Sequence, residues 1–270
     1  LLTRLYPNGE ADVNDFNHVG GTAFLIRELL DAGLMHDDVE TVMGNGLRAY
    51  THALDAHSQT LNYQPAVAKS LDETVLRSAA NPFSPEGGLR ALKGNLGQAV
   101  LKISAVAPEH RLVTAPAHVF DAQADVIAAF KANRFTADAV VIVRNQGPRA
   151  CGTPELHQLT PALSVLLDRG LKVALVTDGR MSGASGKVPA AIHLTPEAAS
   201  GGPLARVLHG DAVTVDCDAG TLTLHVDDAT LAARSNAPVP ESQTGWGREL
   251  FAVFRDNVSD AHLGASVFFK

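Results

Sequence analysis

The sequence of 270 residues contains only two cysteines, Cys151 and Cys217, and 5% aromatic residues. An iron–sulfur cluster takes three or four thiolates, so this chain cannot build one from its own side chains. The two cysteines also lack a metal-like spacing. One disulfide is possible on count, and a reducing, cytoplasmic setting is the simpler inference. An excess of basic residues is missing as well: the net charge is −7 and the pI about 5.8. That balance argues against general nucleic-acid or anionic-membrane partners, which need a basic face. No apolar run approaches the roughly 20 residues that span a bilayer, and the opening LLTRLYP has no basic-then-apolar signal pattern. An initiator methionine is absent, so the chain is expected to be a portion of a longer protein. None of the eleven histidines forms an HExxH helix pair.

Aliphatic residues, in contrast, are plentiful. Hydrophobic residues make up 46% of the chain, so a substantial core is available and it must be aliphatic. Gly21 to Ala32 carries Phe24, Ile26, Leu29 and Leu30 between charged residues and is followed by Gly33, which predicts an amphipathic helix with a C-terminal glycine. Gly20-Gly21 could offer amides to an anion, and close helix packing explains the pair equally well. Residues 44 to 80 are polar and weakly periodic, and are read as a helix and linker. From Asn81 onward strand patterns dominate: Leu89 to Leu92, Ala99 to Ile103, Arg111 to Phe120, Ala139 to Val143, Leu171 to Val176 and Ala190 to Leu194, then a hairpin of Ala212 to Val215 with Thr221 to Val226. Helices are expected over Asp121 to Lys131, Pro161 to Arg169 and Arg248 to Val258. Several connections are too short for regular βαβ alternation. The fold class is therefore α/β, a closed or partly closed β-barrel with peripheral helices over 81–270, preceded by a short helical segment over 1–80.

Two loops carry the candidate chemistry. The first follows the apolar run Leu171 to Val176 and reads TDGRMSGASGK, with glycines at 179, 183 and 186 that let the backbone approach a ligand. Asp178, Arg180, Ser182 and Lys187 could converge there on an anionic, hydroxylated substrate. A serine takes a carbon-bound proton only if a cation stabilises its alkoxide. The alternative is a glycine-rich connection with solvated charges, in which Ser182 or Ser185 hydrogen-bonds its own turn. The second loop, RNQGPRACGTPELH, follows Ala139 to Val143 and places Glu155 where a carboxylate suits a hard divalent cation such as Mg²⁺. A surface glutamate in a helix's first turn would look the same. Arg149 and Lys187 are candidates for holding a phosphate, and His157 and His193 for holding phosphate or hydroxyls. Cys151 reads as a small buried side chain sooner than as a cluster ligand.

TDGRMSGASGK followed by HLTPEAASGGPLARVLHGD resembles the C-terminal signature of the dihydroxy-acid/6-phosphogluconate dehydratase family. SGASGKVPAAIH, NPFSPEGGLRALKGNLGQAVLKISAVAPEHR and YPNGEADVNDF are similar to its phosphogluconate branch, and the likeness runs from about Leu5 to Phe268. The family loop GP-x-x-x-G-M-P-E is matched here with Thr153 at the methionine. The resemblance implies a swivelling-type barrel docked on an α/β domain that is missing here and that would carry the cysteines of a 4Fe-4S cluster. It implies Ser182 as the base at C2 of a sugar acid and Glu155 as a metal ligand. Further implications are a sugar-acid phosphate substrate, the Entner–Doudoroff route of gluconate use, and a homodimer for the full-length protein. The rivals are a dehydratase of another sugar acid or dihydroxy acid, and a non-catalytic docking domain.

Overall fold

A computed structural model describes residues 1–6, 8–55, 60–181, 187–241 and 245–268. Two compact units are formed, Leu1–Gly87 and Gly88–Lys270. In the first, α1 (Val13–His18) opens with a capping box, in which Asp12 accepts from the amides of Asn14 and Asp15 while the Asp15 carboxylate accepts the Asp12 N–H. Helix α2 (Gly21–Asp31) buries Ala23, Phe24 and Leu30, and Gly33 follows it at φ +66. A Cβ at Gly20 would lie 3.0 Å from Phe24, so packing accounts for this glycine. The helix expected within 44–80 is not found among the described residues. That stretch holds the ladder of β1 (Glu40–Thr41) with β2 (Gly44–Asn45), a 3-10 turn over Arg48–Thr51, and the ladder of β3 (His52–Leu54) with β4 (Tyr63–Pro65).

The second unit is a closed eight-stranded barrel. Its strands are β5 (Leu89–Gly94), β6 (Gly97–Lys102), β7 (Leu112–Phe120), β8 (Ala139–Val143), β9 (Val173–Thr177), β10 (Ala190–Thr195), β11 (Ala212–Asp216) and β12 (Thr221–Leu224). Around the barrel they run β10-β6-β5-β12-β11-β7-β8-β9. Strands β7 to β10 are parallel neighbours, whereas β5-β6, β6-β10, β7-β11 and β11-β12 are antiparallel. Closure is made by the parallel contact of β12 with β5, where a Cβ on Gly94 would lie 1.6 Å from the Leu222 carbonyl oxygen. Only glycine fits there.

All five residues of β8 and of β9 are buried because each strand lies between two cores. Val140, Ile142, Ala174 and Val176 belong to the core cluster shared by all eight strands, whose members are aliphatic apart from Cys217. Val141, Val143, Val173 and Leu175 pack outward with residues of α3 (Gln123–Lys131) and α5 (Leu159–Asp168). The unbroken apolar runs seen in the sequence follow from this double burial. A short α4 (Pro148–Cys151) interrupts the loop after β8, and α6 (Asp228–Ala233), α7 (Trp246–Leu250) and α8 (Ala252–Asn257) follow the barrel. No helix among the described residues is long and apolar enough to cross a membrane.

Candidate active site

In the parallel part of the barrel the loops after β8, β9 and β10 emerge at one end, and buried polar groups tie them together. Asp178, directly after β9, has no solvent exposure. One of its oxygens accepts the Gln146 N–H at 2.8 Å, and the other accepts those of Asn145 at 3.1 Å and Ala198 at 2.9 Å. Burial raises its carboxyl above the usual carboxylate range while these amides pull it back down. Asp178, expected from the sequence to meet substrate, is placed by the structure beneath the loops. Its oxygens are taken by backbone donors, and it holds the loops that surround it.

Glu197, in the segment after β10, does the same for the next stretch. Its Oε1 accepts the Arg149 N–H at 2.9 Å, at the start of α4. Burial first, and the nearby charge of Asp178 second among the raising influences, push its carboxyl up. Asp121 secures the beginning of the loop, pairing with Arg144 at 2.6 Å and accepting from the Asn145 side-chain Nδ2 at 3.1 Å.

On this braced base the structure brings Glu155 and Arg180 together. Arg180 Nη1 donates to Glu155 Oε2 at 2.8 Å and Nε donates to the Thr153 carbonyl at 2.8 Å. The Leu156 amide donates to the Arg180 carbonyl at 3.1 Å. The Glu155 side chain keeps 25% exposure and that of Arg180 48%, so both remain open to a ligand. His193 lies close enough to feel this pair: burial foremost, then the Arg180 charge, lowers its pKa. Its N–H donates to the Gly179 carbonyl at 2.8 Å. Asn145, Thr153 and His193 all have positive φ, at 60, 52 and 54. Such conformations in non-glycine residues gather where surrounding structure forces them, often at functional sites.

The remaining expected residues are placed less centrally. Lys187 is ion-paired with Asp168 at the end of α5. Arg149 offers its backbone N–H to Glu197 while its side chain is exposed. His157 is exposed, and its carbonyl caps Thr160. Cys151 is half-buried, with Sγ donating to the Asn145 carbonyl at 3.4 Å. Ser182 and Ser185, with Gly183 and Gly186, lie outside the described residues. Among the described residues no three His, Cys, Asp or Glu side chains form a group able to hold a metal ion. Glu155 fits a hard cation as one carboxylate donor, and further ligands would have to come from elsewhere. Glu197 was not singled out from the sequence, although Pro196-Glu197 stands within the HLTPEAAS motif.

The family pattern described as dihydroxy-acid/6-phosphogluconate dehydratase C-terminal matches residues 74–265, and the corresponding N-terminal pattern matches residues 1–50. The phosphogluconate dehydratase of Pseudomonas aeruginosa is 58% identical over 268 residues, which is 99% of this chain and 44% of that protein. That of Escherichia coli K12 is 53% identical over 98% of this chain, again 44% of the relative. A dihydroxy-acid dehydratase of Parasynechococcus marenigrum is 39% identical over 91% of this chain. The chain thus spans less than half the length of these relatives. With the C-terminal pattern over residues 74–265, the N-terminal pattern before it, and relatives 53–58% identical over nearly the whole chain, the chain belongs to the dihydroxy-acid/6-phosphogluconate dehydratase family.

Proposed function

We propose that this chain is the C-terminal part of a hydro-lyase that removes water from 6-phospho-D-gluconate to give 2-dehydro-3-deoxy-6-phospho-D-gluconate, the dehydration of the Entner–Doudoroff pathway. The observation that supports it most is the Glu155–Arg180 pair in a chain 58% identical to a phosphogluconate dehydratase. The lower identity to a dihydroxy-acid dehydratase, 39%, favours the sugar-acid phosphate as substrate.

The chemistry has two difficulties. A proton beside a carboxylate is weakly acidic, and hydroxide is a poor leaving group. A divalent cation such as Mg²⁺, and an iron–sulfur cluster whose ligands lie outside this chain, would supply the Lewis acidity that both steps require. Within this chain, Glu155 would hold the cation as one of its ligands. Ser182 would take the proton from C2, and Arg180 would pair with the substrate carboxylate. Residues 1–80 belong to, or link to, an N-terminal domain, and 81–270 form the barrel domain of a cytoplasmic homodimer. Lys187, Arg149 and His157 serve the phosphate end, where Lys187 would exchange Asp168 for the ligand.

The test is a dehydration assay with 6-phosphogluconate on a full-length protein of the relatives' size and on these 270 residues alone. The full-length protein is expected to turn over and the 270 residues to be inactive. Ser182→Ala in the full-length protein should abolish product formation without weakening Mg²⁺ binding. Unchanged turnover in that variant would leave the barrel a docking role only.

A further inference from the structure

Glu197 is 6% exposed, and its Oε2 has no hydrogen-bond partner among the described residues. Gly147 packs against that oxygen so closely that a Cβ there would lie 1.8 Å from it. The residue belongs to the segment after β10, yet its carboxylate is sunk into the segment after β8. From that point a short series of bonds leads to the Glu155–Arg180 pair. Glu197 Oε1 accepts the Arg149 N–H at 2.9 Å. The Gly147 carbonyl accepts the amides of Cys151 at 3.1 Å and Thr153 at 3.3 Å. The Thr153 carbonyl accepts Arg180 Nε at 2.8 Å, and Arg180 Nη1 reaches Glu155 Oε2 at 2.8 Å.

An acid that only caps a four-residue helix would sit at the surface, where water solvates its second oxygen. Burying it beside Asp178 is unfavourable twice over, by desolvation and by like charge. Such an arrangement persists where the neighbouring backbone must be held in one place. We propose that Glu197 is a positioning residue: its buried carboxylate fixes the segment from Gly147 to Glu155, and so sets how tightly Glu155 holds a divalent cation. This rests on the reading of Glu155 as a cation ligand.

The experiment uses the full-length protein and two measurements, amide hydrogen exchange over residues 145–156 and Mn²⁺ affinity by electron paramagnetic resonance titration. Glu197→Ala is expected to speed exchange in 145–156 at least tenfold, to leave β8 and β9 protected, and to weaken Mn²⁺ binding about tenfold. Glu197→Gln keeps the accepting oxygen and should stay within about threefold of the parent in both. Should the alanine variant not fold, Glu197→Asp, whose oxygen falls short of Arg149, gives the same comparison. Parent-level exchange or parent-level Mn²⁺ affinity in the alanine or aspartate variant overturns the proposal, as does a glutamine variant as impaired as alanine. Mn²⁺ affinity that survives Glu155→Gln also overturns it. A parent that binds Mn²⁺ through Glu155 but leaves 6-phosphogluconate intact would sink the proposed reaction and leave this inference standing.

Discussion

The guanidinium of Arg180 holds the carboxylate of Glu155 at 2.8 Å, so the group expected to ligate a cation is paired with a side chain from the neighbouring loop. A cation at Glu155 therefore shares the carboxylate with, or displaces, Arg180. An ion pair this exposed contributes about 0.5–1 kcal/mol, which corresponds to roughly two- to fivefold in affinity. Arg180→Gln in the full-length protein should tighten Mn²⁺ binding by about that factor. If Arg180 meets the substrate carboxylate as proposed, the same change should also lower turnover of 6-phosphogluconate by more than tenfold. Calorimetric titration and an initial-rate assay check the two halves separately.

Asp178→Asn replaces a double acceptor by a group with one acceptor and one donor, and it faces three backbone N–H groups with them. At least one buried donor is left unpaired, and each such loss costs about 1–3 kcal/mol. The variant is expected to unfold at a denaturant concentration corresponding to roughly 2–4 kcal/mol less stability. A midpoint equal to the parent's would contradict the bracing role.

Gly147→Ala drives a methyl to within 1.8 Å of the Glu197 carboxylate. Overpacking of this kind costs about 1–3 kcal/mol or more, and here the strain falls on the segment that carries Glu155. The expected result is a lower unfolding temperature together with weaker Mn²⁺ binding. The double variant with Glu197→Ala should be less damaged than the sum of the two single changes, since the clash is removed.

His118 lies half-buried with its ring 5.1 Å from that of Phe135 and 4.7 Å from that of His209. Burial, and then the charge of His209, lowers its pKa. Above about pH 6.5, the ordinary histidine value, the ring is neutral in both folded and unfolded chains and nothing is lost. As pH falls below that value the unfolded chain takes up the proton first, so stability declines until the lowered folded pKa is passed. His193, also lowered, adds a decline of the same sign. Unfolding temperatures measured from pH 7.5 to 5 should drop less steeply in His118→Phe, which keeps a ring beside Phe135.

Cys217 is fully buried, and burial together with Asp218 and Asp216 pushes its thiol pKa up to about 12. Since the thiolate is the reactive form, Cys217 should resist iodoacetamide at pH 8 for as long as the barrel is folded. Mass spectrometry of the labelled native protein is expected to show this cysteine unmodified, with labelling only in denaturant.

Much of the barrel is legible in the sequence because its strands are long enough to carry a pattern. Ala139 to Val143 and the run ending at Thr177 are unbroken aliphatic stretches, and burial on both faces is what such runs require. The strands between Glu40 and Pro65 escape notice because they are two or three residues long and mostly exposed, so no period develops. The two loops that carry Glu155 and Arg180 are each conspicuous for their turn formers, but the pairing of the two side chains across them is a matter of tertiary placement. The inward aim of Asp178 is not legible either. Aspartate after a strand looks alike whether it faces a ligand or three amides of neighbouring loops. Glu197 is harder still, since its partner amide at Arg149 lies 48 residues away.

Closure of the sheet at Gly94 and Leu222 has a practical consequence for handling this protein. A strand row without open ends offers no template onto which another chain could add by backbone pairing. Long-lived fibrous or edge-to-edge aggregates are therefore not the expected fate of the Gly88–Lys270 unit. Replacing Gly94 by a bulkier residue would part β5 from β12, and the newly bared rims would make precipitation on storage the first symptom.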